Sequence, residues 1–201
     1  MRWGLFFWLR TTRKMTLAFT PIPRSVCQGV GKVGVMSEKD HFLKVSQLFD
    51  RGVSTGWAKQ MEIEHEPVAR AAFGRARLQA GQSYLDIGCG SGDTVRWACG
   101  VHPTVEGYGI DVSAQMIHTA RTRSTPFKNA RFIHSVFPLR ELKAQSFDAI
   151  IAVESIYYMP DLLWALVNVN RLLKPGGRFV CTMDRYGDVV GQRSWDDESV
   201  R

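Results

Sequence analysis

The chain has 201 residues, 45% hydrophobic and 22% charged, with a formal net charge of +7. That length supports one domain with a proper buried core. The charge is uneven: residues 1–35 hold six basic residues and no acid, while the rest carry 20 basic against 19 acidic residues. The folded part is therefore near neutral, and nothing in its electrostatics recommends nucleic acid as a partner.

At the N-terminus, Gly4-Leu5-Phe6-Phe7-Trp8-Leu9 is an apolar run of six. It is too short for a signal-peptide core and far too short to span a bilayer. Residues 1–35 read as a basic, disordered or mis-assigned extension ahead of a hydrophilic start at Met36. An organellar transit peptide is the second reading, from the Arg-rich, acid-free composition. Residues 36–80 then read as a helical cap. Phe42 to Phe49 suggests a first helix, broken near Gly52, and Trp57 to Ile63 leads into a helical stretch from Glu66 to Phe73. Phe49 and Trp57 are aromatics that either pack in the core or reach a pocket.

Residues 81–201 carry the informative pattern. Tyr84-Leu85-Asp86-Ile87-Gly88-Cys89-Gly90-Ser91-Gly92 is a short apolar strand ending in a carboxylate, three alternate glycines, then helix-forming sequence. A strand, a glycine loop and a helix N-terminus make a nucleotide cradle at the carboxyl end of a parallel sheet. The third glycine comes one residue early for a dinucleotide fingerprint, since position 93 is Asp93. Asp86 would also make a bound pyrophosphate costly, whereas a cationic ligand such as S-adenosylmethionine is favoured. Val105 to Asp111 is a second strand ending in an acid, 23 residues after Gly88. That separation suits an acid reaching a ribose hydroxyl pair, and Asp111 also fits a helix N-cap. Phe147 to Glu154 is a near-continuous apolar run of the buried parallel type. Leu172-Leu173-Lys174-Pro175-Gly176-Gly177 then turns into a last strand from Arg178 to Met183.

These residues resemble the class I S-adenosylmethionine-dependent methyltransferases, with four motifs in order between Gln82 and Asp184. The resemblance implies a Rossmann-like α/β fold, doubly wound around a mostly parallel sheet, with S-adenosyl-L-methionine as cofactor. It further implies that Gly88, Cys89, Gly90 and Gly92 form the cofactor loop and that Asp86 faces the methionine ammonium. Asp111 would hold the ribose hydroxyls, with Val112 and Met116 against the adenine. Where the family commonly places an acid for the adenine amino group, this chain has Ser135 and Val136, which could offer only a hydroxyl and a backbone amide. Glu154-Ser155-Ile156-Tyr157-Tyr158-Met159-Pro160-Asp161 is most similar to the branch that methylates small molecules. Glu154, Tyr157 and Tyr158 follow the fourth strand on the acceptor side and are the candidate catalytic residues.

The family fold has seven strands in the order 3-2-1-4-5-7-6, yet only 17 residues follow Asp184. The expectation is a fold lacking strands six and seven, with strand five as a bare edge open to self-association. A non-catalytic, vestigial cofactor-binding module is the alternative to a working enzyme, and a nicotinamide oxidoreductase is disfavoured by Asp86 and the early glycine. Cys27, Cys89, Cys99 and Cys181 show no metal or disulfide spacing, and the five histidines are scattered. A reduced cytoplasmic protein without a metal site is expected.

Overall fold

The computed structural model of the protein describes residues 5–10 and 37–183. Ser37 starts helix α1 (Glu38–Thr55): its hydroxyl accepts the Asp40 N–H at 3.1 Å, and Glu38 and Asp40 place negative charge in the first turn. The helix runs through Gly52, where a break is expected, and stops at Gly56 with φ +80°. Gly52 serves packing instead. A Cβ there would lie 2.5 Å from the Trp57 ring. Helix α2 (Trp57–Ala76) is continuous, and it absorbs Pro67.

Five parallel strands follow, β2 (Ser83–Ile87), β3 (Glu106–Asp111), β4 (Ala130–His134), β5 (Phe147–Val153) and β6 (Leu173–Met183). Helices α3 (Asp93–Val101), α4 (Ala114–Arg123) and α5 (Leu162–Leu172) connect them, and a short 3-10 turn, Ile156–Tyr158, follows β5. With β1 (Leu5–Arg10) at one edge, the sheet order β1-β6-β5-β2-β3-β4 reverses direction beside β2, so β2 and β5 part at their carboxyl ends and leave a crevice there. Side chains alternate across the central strands, and both faces are buried. Tyr84, Ile151 and Val180 pack under α2, α3 and α4 with Val95, Ala98 and Ile117. Leu85, Ile150 and Phe179 pack under α5 with Ala165, Val169 and Leu172. This explains the unbroken apolar reading of β5. The Pro-Gly-Gly segment is not a break before β6 but a bulge within it: Phe147 pairs with Leu173, then Ala149 pairs with Arg178.

The bare edge expected on the fifth parallel strand is covered. Leu5–Arg10 forms strand β1 and pairs antiparallel with β6, with Leu5 opposite Met183 and Arg10 opposite Arg178. A run too short for a membrane has the length of an edge strand, and its Phe and Trp residues favour extended backbone. β1 satisfies the peptide groups that β6 would otherwise expose, so the edge proposed for self-association is paired within the chain. β1 lies next to the fifth parallel strand, where the family order puts strand seven. The remainder of residues 1–36, including Cys27, lies outside the described residues, as does everything after Met183. Among the described residues no helix is long and apolar enough to cross a membrane.

Candidate functional site

The glycine loop is built by backbone bonds to the neighbouring strand. Gly88 N and Cys89 N both donate to Ile110 O, at 2.8 and 3.0 Å, which folds the loop over the end of β3. Gly88 adopts φ +72°, and a Cβ on it would lie 2.4 Å from Ser155 Cβ. Ser155 is held there by its own hydroxyl, which donates to Ile87 O at 2.5 Å. Gly92, with φ +84°, is the N-cap of α3, and a Cβ there would lie 2.7 Å from the Phe132 ring. Gly88 is thus needed for conformation and for close approach of the post-β5 turn, and Gly92 for helix–sheet packing.

Asp111 closes β3 and organises the loop from the other side. One oxygen accepts Gly90 N–H and the other Ser113 N–H, both at 2.8 Å. Ser113 in turn caps α4 by accepting Met116 N–H at 3.0 Å. Of the two roles open for Asp111, the helix cap falls to its neighbour Ser113, and Asp111 itself lines the cleft. Burial raises the Asp111 pKa above the ordinary carboxylate value, against the pull of its two backbone bonds.

Asp86 is more extreme. It is 2% exposed at the end of β2, where Oδ2 accepts the Thr94 hydroxyl and Oδ1 is sealed from solvent with no partner. Burial drives its pKa to about 7, with Asp111 and Asp93 adding to the rise and Thr94 opposing it. A buried carboxylate oxygen without a donor calls for a cationic donor from the cleft. Further along the same cleft lie Glu62, Glu66 and Glu154, against Lys59 and Arg70. This acid-rich lining fits a ligand with an ammonium and a sulfonium. It is hostile to a pyrophosphate, the more so because Asp93 occupies the first turn of α3.

One cleft of about 410 Å³ joins these groups to the helical cap. At its base end it is lined by Val112, Met116, Ser135 and Val136, all expected, and by Phe137. Ser135 N donates to Asp111 O at 3.0 Å and its hydroxyl to Val136 O at 3.2 Å. No carboxylate stands at this end. At the other end Glu154 and Tyr158 line the cleft, whereas Tyr157 stacks on Tyr158 at 4.7 Å without lining it. Glu154 is buried with φ +48°, a left-handed backbone uncommon for a non-glycine residue, and its N–H is held by Thr182 O at 3.2 Å. Phe49 reaches the cleft and packs edge-on against Tyr158 at 5.4 Å, while Trp57 packs behind Phe49 at 5.9 Å.

Several residues that sequence reasoning passed over complete the site. Asp50 of α1 accepts from Ser113 Oγ at 2.5 Å and from Gln115 N–H at 3.1 Å, tying the cap to the start of α4. Glu62 of α2 pairs with Arg123 at 2.7 Å and with Lys59 at 3.0 Å. Burial would raise its pKa, but bonds from Ser91 and Lys59 and the Arg123 charge outweigh that and hold it low. Glu62, His65 and Glu66 share a helical face, a periodicity legible in the sequence. Asp50 and Thr94 gave no such signal, because their partners lie 63 and 8 residues away. Cys89, Cys99 and Cys181 are all buried, and no group of metal-binding side chains occurs among the described residues.

The parallel strands run in the 3-2-1-4-5 order of the Rossmann-like methyltransferase class, with a glycine loop and the Asp111 carboxylate at their carboxyl ends. Residues 85–179 match the family profile described as a methyltransferase domain. Demethylmenaquinone methyltransferase of Staphylococcus aureus is 34% identical over 105 residues, 52% of this chain and 44% of its own length. Among solved structures, one from the complex of the Haloferax volcanii Trm112 methyltransferase activator with a methyltransferase aligns at 31% identity and TM-score 0.63. It covers 67% of this chain and 59% of that one. A Haemonchus contortus N-methyltransferase, in complex with phosphomonomethylethanolamine and S-adenosylhomocysteine, aligns at 26% identity and TM-score 0.60, covering 74% and 36%. The described core is similar in sequence and fold to the class I S-adenosylmethionine-dependent methyltransferases, and S-adenosylmethionine is the cofactor its residues fit. The chain spans about half the length of the S. aureus relative.

Proposed function

We propose that this chain transfers a methyl group from S-adenosylmethionine to a small-molecule acceptor entering between α1, α2 and the turn after β5. The observation that carries this is the single cleft running from Asp86 and Asp111 to Phe49, Tyr158 and Met159. Bound there, the cofactor supplies a methyl group on a sulfonium, a good leaving group in an in-line displacement. The protein's part is orientation and exclusion of water, which together can contribute roughly 7–11 kcal/mol. Asp86 would hold the ammonium and Asp111 the ribose hydroxyls, while Val112, Met116 and Phe137 flank the base. Phe42, Phe49 and Met159 offer an apolar seat to the acceptor body, and Tyr158 and Glu154 bring polar groups to its reacting end. A base is needed only if the acceptor must lose a proton, and Glu154 is the candidate that the strained backbone presents to the cleft. Tyr157, behind Tyr158, supports that ring instead.

The names of two similar proteins, one for a menaquinone precursor and one bound to a phosphorylated amine, support a small acceptor. The similarity to named methyltransferases does not favour the vestigial, non-catalytic reading. We take residues 36–80 as the acceptor-side cap, residues 81–201 as the cofactor core, and the reducing cytoplasm as the setting that suits the free thiols of Cys89 and Cys99. The test is calorimetric titration of S-adenosylmethionine into the full chain, followed by labelled-methyl transfer to a panel of small acceptors. Saturable binding that disappears in Asp111→Ala, with label reaching an acceptor, is the expected result. A folded chain giving no binding heat at two temperatures would overturn it.

A further inference from the structure

The Asp86 carboxylate is gripped on one side only. Thr94, 5% exposed in the first turn of α3, donates its hydroxyl to Oδ2, and Oδ1 remains without a partner inside a residue that lines the cleft. The surroundings give the carboxylate no other help. Tyr84 faces it from β2, Cys89 from the loop, Asp93 from α3 and Asp111 from β3, while Glu62, Glu66 and Glu154 stand elsewhere on the cleft wall with Lys59, His65 and Arg70. The Tyr84 hydroxyl, buried against Thr94, makes no sound hydrogen bond, and burial pushes both it and the Cys89 thiol well up. The titratable groups that face Asp86 directly are thus acids, a phenol and a thiol, with no cation among them.

We infer that Thr94 is a positioning residue for the cofactor: its hydroxyl fixes Oδ2 and keeps the Asp86 carboxylate anionic at the wall of the cleft that takes the ammonium. This rests on the methyltransferase reading of the cleft. An uncharged O–H is the one donor type that fits a sealed position beneath a site meant for a cation. A lysine or arginine there would neutralise Asp86 and compete with the ligand, and a valine would leave both oxygens unpaired. Burial brings the Asp86 pKa to about 7, so the hydrogen bond from Thr94 acts where the protonation balance is most easily tipped.

The experiment is S-adenosylmethionine affinity against pH, by calorimetry from pH 5.5 to 9, for wild type, Thr94→Val and Thr94→Ser. The wild-type curve should weaken below about pH 7 as Asp86 protonates, and again at high pH as the ligand's own α-amino group, ordinarily near 8, loses its proton. In Thr94→Val the acid limb should move up by about one pH unit, giving roughly tenfold weaker binding near pH 5.5, about fivefold at pH 7 and about twofold at pH 8. The alkaline limb should stay, and Thr94→Ser should restore the wild-type curve. A carbon-13 titration of the Asp86 carboxyl in the ligand-free proteins gives the same comparison without any binding. Should Thr94→Val fail to fold, Thr94→Cys, with its weaker S–H donor, takes its place. An Asp86 titration unmoved by loss of the hydroxyl overturns the inference. Wild type that binds at no pH overturns the cofactor reading instead.

Discussion

The cleft has a floor and a roof, and the two are held by different means. The floor is backbone: Gly88 and Cys89 bond to Ile110, and Gly90 and Ser113 bond to the Asp111 carboxylate, all within a stretch of some 25 residues. The roof is side chain. His41 reaches Tyr158 O at 2.7 Å across 117 residues, Asp50 reaches Ser113 across 63, and Glu62 reaches Arg123 across 61. Backbone amides on a glycine turn are set once the strands pair, so the floor is preorganised for one cofactor. Polar ties between long-separated helices are individually weak, which suits a wall that must admit and release an acceptor.

The largest break should come from the floor. Gly88→Ala puts a Cβ in left-handed backbone and against Ser155, and both terms count. A loss on the order of 3 kcal/mol is expected in urea unfolding, with cofactor binding abolished. Adding Ser155→Gly should recover part of the stability, and no recovery would rule out the clash as the cause.

Asp86→Asn should separate binding from stability. Its raised pKa means the native state holds a proton more tightly than the unfolded chain. Wild-type stability therefore falls as pH rises from about 4 towards 7, and the full cost is present above 7. Relative to wild type, the variant should gain on the order of 2 kcal/mol between pH 5 and pH 8 while losing cofactor affinity. Parallel stability curves for the two proteins over that range would refute it.

The roof should respond more mildly. Asp50→Ala is expected to cost about 1 kcal/mol, as for a lost cap. Amide exchange should quicken in α1 and stay unchanged in the glycine loop, with cofactor affinity altered less than about threefold. Equal quickening in both regions would mean that floor and roof form one unit. The smallest effect is a gain. Val136→Asp places an acceptor in the one end of the cleft that lacks a carboxylate, and should tighten S-adenosylmethionine binding by less than about 1 kcal/mol. Unchanged affinity would show that the base does not reach residue 136.

The sequence by itself determined the floor. Asp86, the three glycines and Asp111 declare their roles through spacing, because a strand-to-helix turn at a parallel sheet leaves few backbone solutions. The alternation of Tyr84 with Leu85 and the unbroken apolar run of β5 likewise followed from the two-sided burial of central strands. The rest depends on contacts between distant segments. Leu5–Leu9 reads as a stray apolar run until β6 offers an unpaired edge. Gly52 reads as a helix breaker until the Trp57 ring is seen against it, and Tyr157 and Tyr158 read alike until one turns into the cleft and the other behind it. Asp50 and Thr94 carry no local mark at all. Periodicity and turn chemistry act over a few residues, whereas a buried polar partner is chosen by wherever the packed sheet brings two segments together.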